Sequence, residues 1–155
     1  MTFEFDRTTH FWNLNVGIMF RQDGKLINNV PFKLDTGARI TTIPCHFLLN
    51  NGMTENGLRQ TTKTYITVAD GKRVPNCFIV RVAEIHILGK IFRNFEVATS
   101  LSANFGYLLG QNILECFDWE LNYSSGLATA NFRENFIPQA VSKHSKKVDN
   151  VEQAH

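Results

Sequence analysis

The residues best suited to chemistry begin at Asp35-Thr36-Gly37. This triplet follows Val30-Pro31-Phe32-Lys33-Leu34 and opens into Ala38-Arg39-Ile40-Thr41-Thr42-Ile43-Pro44, which puts a carboxylate at the expected end of a strand. The glycine permits a sharp turn that brings backbone amides close to the carboxylate, and the threonine hydroxyl can brace that turn. A carboxylate held in this way is ready for proton transfer. The same triplet can also serve as a plain capped turn. Other candidates carry less. Cys45-His46 sets a thiol beside an imidazole, but adjacent residues seldom face each other, and no acidic group is evident to orient the ring. His10, His46, His86, His144 and His155 lack metal-ligand spacing, so no metal site and no cofactor are expected. Trp12 and Trp119 read as core or interface aromatics.

A carboxylate at a strand end needs a sheet to hold it. Val16, Ile18 and Phe20 fall at period two within Phe11 to Phe20, Asp23-Gly24 supplies a turn, and Leu26 to Leu34 resumes an extended pattern. This predicts a hairpin that delivers Asp35. Ile40-Thr41-Thr42-Ile43 is β-branched throughout and predicts a strand broken by Pro44. Cys45 to Asn50 predicts a short helix stopped at Asn51-Gly52, and the polar stretch Met53 to Thr61 predicts a loop. Strand-like runs Thr64 to Val68 and Val74 to Val82 flank Ala69-Asp70-Gly71-Lys72, a hairpin signal. A second pair, Arg81 to Leu88 and Ile91 to Ala98, brackets Gly89-Lys90. Leu101 to Phe105 is irregular, Tyr107-Leu108-Leu109-Gly110 is a compact apolar run, and Gln111 to Cys116 has helical composition. Phe117 to Leu121 and Leu127 to Phe132 make a last hairpin. Many short strands with one or two brief helices predict a mainly β domain of barrel or sandwich type.

Bulk properties bound the rest. A chain of 155 residues, 43% hydrophobic and 19% charged, has the composition of one globular domain, and its thirteen phenylalanines favour a sheet-rich core. Its organisation is expected to be an N-terminal arm over 1–10, a folded domain over 11–132 and a polar, flexible tail over 133–155. A formal charge of +2 is too small to argue for nucleic acid or a membrane, and neither is an expected partner. The first residues lack the pattern of a secretory signal and no run approaches a membrane span, so a cytoplasmic location is expected. Cys45, Cys77 and Cys116 are odd in number and widely spaced, and are expected to be reduced, buried thiols.

Two separated stretches, Phe32-Lys33-Leu34-Asp35-Thr36-Gly37-Ala38 and Leu108-Leu109-Gly110-Gln111-Asn112-Ile113-Leu114, together resemble the retropepsin-like aspartic proteases. A hairpin lies between them, where that family keeps its flap, and the match covers roughly Phe11 to Phe132. The resemblance implies a closed β-barrel, with the second stretch packed behind the loop that carries Asp35. It also implies a flap over about Tyr65 to Val74, whose tip at Ala69-Asp70-Gly71 would fold over a bound peptide.

Peptide hydrolysis of this kind needs two facing carboxylates, one to take a proton from water and one to give a proton to the substrate. The sequence offers one such triplet, because neither Asp23-Gly24 nor Asp70-Gly71 matches it and Asp118 precedes a tryptophan. The resemblance therefore implies an aspartic endopeptidase acting on peptide or protein substrates as a homodimer, with one Asp35 from each subunit. By the same resemblance Thr36 would lock the two loops together, Gly37 would supply backbone groups to the carboxylate or peptide, and Ala38 would keep the cleft floor clear. Arg39 departs from the acidic residues that many viral relatives carry just after the alanine. The alternative is a non-catalytic peptide-binding or dimerisation module with the same fold.

Overall fold

Alternation of apolar and polar residues at period two, punctuated by Asp-Gly, Gly-Lys and Ser-Gly turns, gives a chain built almost wholly of hairpins. The computed structural model describes residues 2–6, 11–67 and 71–134. Its elements run β1 (Thr2–Asp6), β2 (Phe11–Met19), β3 (Leu26–Leu34), α1 (Cys45–Asn50), α2 (Glu55–Arg59), β4 (Thr62–Thr67), β5 (Arg73–Ile87), β6 (Lys90–Ser100), β7 (Leu108–Leu109), α3 (Gln111–Leu114), β8 (Phe117–Asn122) and β9 (Leu127–Phe132). The main path of the sheet is β4-β5-β2-β1-β9-β8, with β3 branching from β2 toward β7 and β6 branching from β5.

The architecture is mainly β, but among the described residues no sheet closes into the barrel expected from the sequence. Strand sharing gives the physical reason. β2 pairs with β3 along nearly its whole length, while Phe11 and Trp12 pair with β1 and Gly17 to Met19 pair with β5. A register shift between Val16 and Ile18 bends the strand between those two partners. The sheet therefore forks at β2 and β5, and its terminal strands β4 and β8 share no ladder.

Three further differences from the sequence reading have local causes. Among the described residues there are three short helices, because Met53 to Thr61 contains α2. Thr54 caps it, its side chain accepting a hydrogen bond from Gly57 N–H at 2.9 Å, and Arg59 reaches back to Glu55 at 3.0 Å one turn away. The two strands expected over Val74 to Leu88 are one 15-residue strand, β5. It turns into β6 through Leu88 and Gly89, both at positive φ, the backbone shape a tight two-residue hairpin turn needs. Ile40 to Ile43 forms no strand; only Thr42 makes isolated bridges, to Ala98 on one side and Leu108 on the other.

The main core gathers Leu14, Val16, Ile18, Phe32, Leu48, Val80, Val82, Ile85, Leu109 and Ile113. A second, smaller cluster joins Ile40, Ile66, Cys77, Ile79, Ala98 and Phe105, with Val74 and Ala103 packed against it. All three cysteines are free thiols; Cys77 and Cys116 are buried as expected, whereas Cys45 is only half-buried at the start of α1. β1 lies between β2 and β9 in the sheet. Residues 135–155, most of the expected tail, lie outside the described residues. Among the described residues no helix is long and apolar enough to cross a membrane.

Candidate functional site

β3 ends at Leu34, and the chain turns at once through Thr36 and Gly37. Asp35 is only 6% exposed, and its Oδ1 accepts a hydrogen bond from Gly37 N–H at 3.0 Å. Its carbonyl accepts from Ala38 N–H at 3.1 Å, closing the turn, and its own N–H donates to Leu109 O at 3.1 Å. The carboxylate is thus held by the backbone of its own turn, and the turn is held by β7. Thr36 is exposed, Gly37 half-buried and Ala38 fully buried.

β7 lies parallel to the end of β3, with Lys33 opposite Leu108 and Leu34 opposite Leu109. Parallel neighbours need a long connection, and here the whole β4 to β6 region supplies it. Gly110 then comes flush against the other limb of the Asp35 turn. A Cβ on Gly110 would lie 2.4 Å from the Ile40 carbonyl carbon and 2.6 Å from its oxygen, so only glycine fits. From this contact α3 starts, and its first residue clasps the turn twice. Gln111 N–H donates to Ala38 O at 2.8 Å, and Gln111 Nε2 donates to Thr36 O at 2.8 Å.

Beneath the turn lies a buried polar brace that sequence reasoning missed. Asn112, 6% exposed, accepts at Oδ1 from Thr41 N–H at 2.9 Å and from Thr41 Oγ1–H at 2.8 Å, while its Nδ2 donates to Glu96 O at 3.1 Å. Thr41 Oγ1 in turn accepts from Gly110 N–H at 3.1 Å. Both residues are thereby satisfied inside the core, as buried polar groups must be. The available signal was chemical: Asn112 is a carboxamide inside the apolar run Leu108 to Leu114, where it can only be buried and paired or wrongly placed.

The run Ile40 to Ile43 spends its backbone groups on two elements rather than one. Thr41 O accepts from Ala98 N–H, Ile43 N–H donates to Ala98 O, and Thr42 exchanges both backbone bonds with Leu108. It threads between β6 and β7 and carries the Asp35 turn with it.

The hairpin expected as a flap is formed by β4 and β5, with Thr62 opposite Ile79 and Thr67 opposite Arg73. Gly71 sits at φ +86 with open space around it, on the connection between the strands. Ala69 and Asp70 lie outside the described residues. The hairpin reaches the Asp35 turn through the smaller cluster, where Ile66 and Val74 pack with Ile40. Its opposite face carries Tyr65, with the Arg73 guanidinium 4.3 Å from the ring centre. Asp35, Gly37 and Ala38 thus share one turn, and Gly71 belongs to the hairpin packed beside it. Among the described residues no three His, Cys, Asp or Glu side chains group as a metal site.

No protein-family model matches this chain, and no curated protein matches it. Among solved structures the chain is similar to a retropepsin-like aspartic protease from Rickettsia conorii, with a TM-score of 0.62 and 22% identity. That likeness covers 85% of this chain and 89% of the other. The chain therefore has a retropepsin-like fold.

Proposed function

We propose that this chain is an aspartic endopeptidase, active as a homodimer in which two Asp35 carboxylates activate one water. The observation that carries the reading is the buried Asp35 carboxylate, bonded to Gly37 N–H in a turn clasped by β7 and α3, within a retropepsin-like fold. One carboxylate can accept a proton from water or donate one to the substrate, but not both at once, so the chemistry calls for a twin. A two-fold axis between two copies of the Asp35 turn supplies it.

In that assembly the two like charges cannot both ionise cheaply, and the pair holds a single shared proton that belongs to neither side chain alone. The unprotonated carboxylate takes a proton from the water as its oxygen attacks the scissile carbonyl. The protonated one hydrogen bonds to the carbonyl oxygen as charge builds there. Proton return to the leaving amine then breaks the C–N bond, with no covalent intermediate on the enzyme. Thr36, exposed at the tip of the turn, faces its counterpart across the axis. Gly37 keeps the carboxylate oriented, and Ala38 leaves the floor open. The β4–β5 hairpin, with Ala69, Asp70 and Gly71 at its end, closes over the peptide.

The test is Asp35→Asn. The amide oxygen can still accept from Gly37 N–H, so the variant should keep its fold and its self-association by sedimentation. Cleavage of a mixed peptide library should fall by about a thousandfold or more. Turnover also falls on dilution of the wild type as the dimer dissociates. Undiminished cleavage by the Asn variant overturns the mechanism, and a wild type that binds peptides but never cuts them is a binding module with this fold.

A further inference from the structure

The segments around Asp35 have an uneven charge. The Asp35 turn and its continuation, residues 35–44, contain Asp35 and Arg39; the segment 101–114, which backs the turn, contains no charged residue at all. Arg39 is exposed between two fully buried neighbours, Ala38 and Ile40, so its side chain leaves the core on the solvent side, four residues from Asp35. Its backbone is fixed, since Arg39 O accepts from Asn112 N–H at 3.2 Å. Among the described residues its guanidinium takes part in no ion pair, whereas Arg59, Arg81, Arg93 and Arg133 each face a carboxylate.

A guanidinium is a rigid fork that matches a carboxylate with two parallel hydrogen bonds. Standing on a clamped backbone beside a neutral wall, it attracts an anionic group and repels a cationic one. We infer that Arg39 is a specificity-determining residue, selecting peptides that carry an aspartate or glutamate side chain close to the bond presented to Asp35. The inference rests on the endopeptidase reading for the bond that is cut, but its charge preference is measurable in binding alone.

The experiment uses three peptides that share one cleavable sequence, found first with a mixed library, and differ only in Glu, Gln or Lys at each position flanking the cut. The readout is the ratio of kcat/KM values, because loss of fold or of the dimer lowers every peptide alike and leaves the ratio unmoved. At one or more flanking positions the Glu peptide should exceed the Gln peptide by about five- to tenfold, and the Lys peptide by more. High salt should shrink that margin. Arg39→Gln should bring the ratio close to unity, Arg39→Glu should turn it toward the Lys peptide, and Arg39→Lys should keep most of it. Equal cleavage of the three peptides by the wild type, or an unchanged ratio in Arg39→Glu, overturns the inference and leaves the endopeptidase reading standing. If the wild type cuts nothing in the library, fluorescence anisotropy of a Glu, Gln and Lys set built on a sequence that the library shows it to bind separates the two claims. Tighter binding of the Glu peptide that Arg39→Glu abolishes sustains the charge selection while the endopeptidase reading falls, and equal binding removes both.

Discussion

The Asp35 turn and the β4–β5 hairpin meet at Ile40, yet they are held by different kinds of contact. The turn is fastened by directional bonds from residues far away in the chain: Gln111 to Thr36 and Ala38, Asn112 to Thr41, Gly110 to Thr41. The hairpin depends on its own cross-strand ladder and on the small apolar cluster around Ile66 and Ile79. Hydrogen-bond networks allow one geometry, whereas apolar contacts tolerate sliding and small rearrangement. On the endopeptidase reading, the carboxylate, which must keep its angle, sits on the first kind of support. The strand pair, which on that reading must let a peptide in and out, sits on the second.

Substitutions can break that contrast, beginning with the one expected to do most harm. Gly110→Ala drives a methyl into the Ile40–Thr41 backbone and should cost more than about 3 kcal/mol, seen as a large fall in Tm or as failure to fold. Asn112→Ala removes the acceptor of Thr41 N–H and of the Thr41 hydroxyl and the amide donor to Glu96 O, and should cost about 2–4 kcal/mol in denaturant unfolding. Activity in surviving Asn112→Ala protein should drop further than stability predicts, because the Asp35 turn loses its angle. Tyr65→Ala removes the Arg73 stacking on the hairpin and should cost less than about 1 kcal/mol, while changing KM for peptides several-fold. If Tyr65→Ala destabilises as much as Asn112→Ala, the two regions are not supported differently.

The thiols sharpen the comparison without any substitution. Burial pushes Cys77, in the hairpin cluster, and Cys116, in the main core, up to about 11 from the ordinary 9.0. Because the folded values are raised, the neutral thiols favour the fold fully below about pH 9, and that contribution is lost as pH rises toward about 11. Tm should therefore hold steady to mild alkali and decline beyond it. With a thiol reagent under mildly alkaline conditions Cys45 should react first, then Cys77 through local opening of the hairpin, and Cys116 last, near the rate of global unfolding. Mass spectrometry of the labelled peptides gives the order, and Cys116 reacting before Cys77 would reverse it.

What the sequence made legible follows the same divide. Hairpins were readable because Asp-Gly and period-two patterns act over a few residues, and the Asp35 turn was readable because Asp-Thr-Gly is a local signal. α2 was hidden by polarity: Leu58 is its one buried residue, and its real signals are the Thr54 cap and the Glu55–Arg59 pair. Ile40 to Ile43 misled because β-branching favours extended backbone but does not say whether one neighbour or two will share its bonds. The barrel failed to appear for a similar reason, since nothing in the composition of β2 says that one of its edges is divided between β1 and β5. The Asn112 brace joins positions 71 residues apart, beyond the reach of any window.

The parallel pairing of Lys33 with Leu108 and Leu34 with Leu109 has a consequence for the order of synthesis. Asp35 leaves the ribosome long before the segment that shapes it, and no local contact can take that segment's place. On the endopeptidase reading, a nascent copy carries an unclasped Asp35 turn until residues 108–114 have emerged. Newly made chains, crowded on one messenger, are therefore unable to cut each other before that segment has been made and has docked.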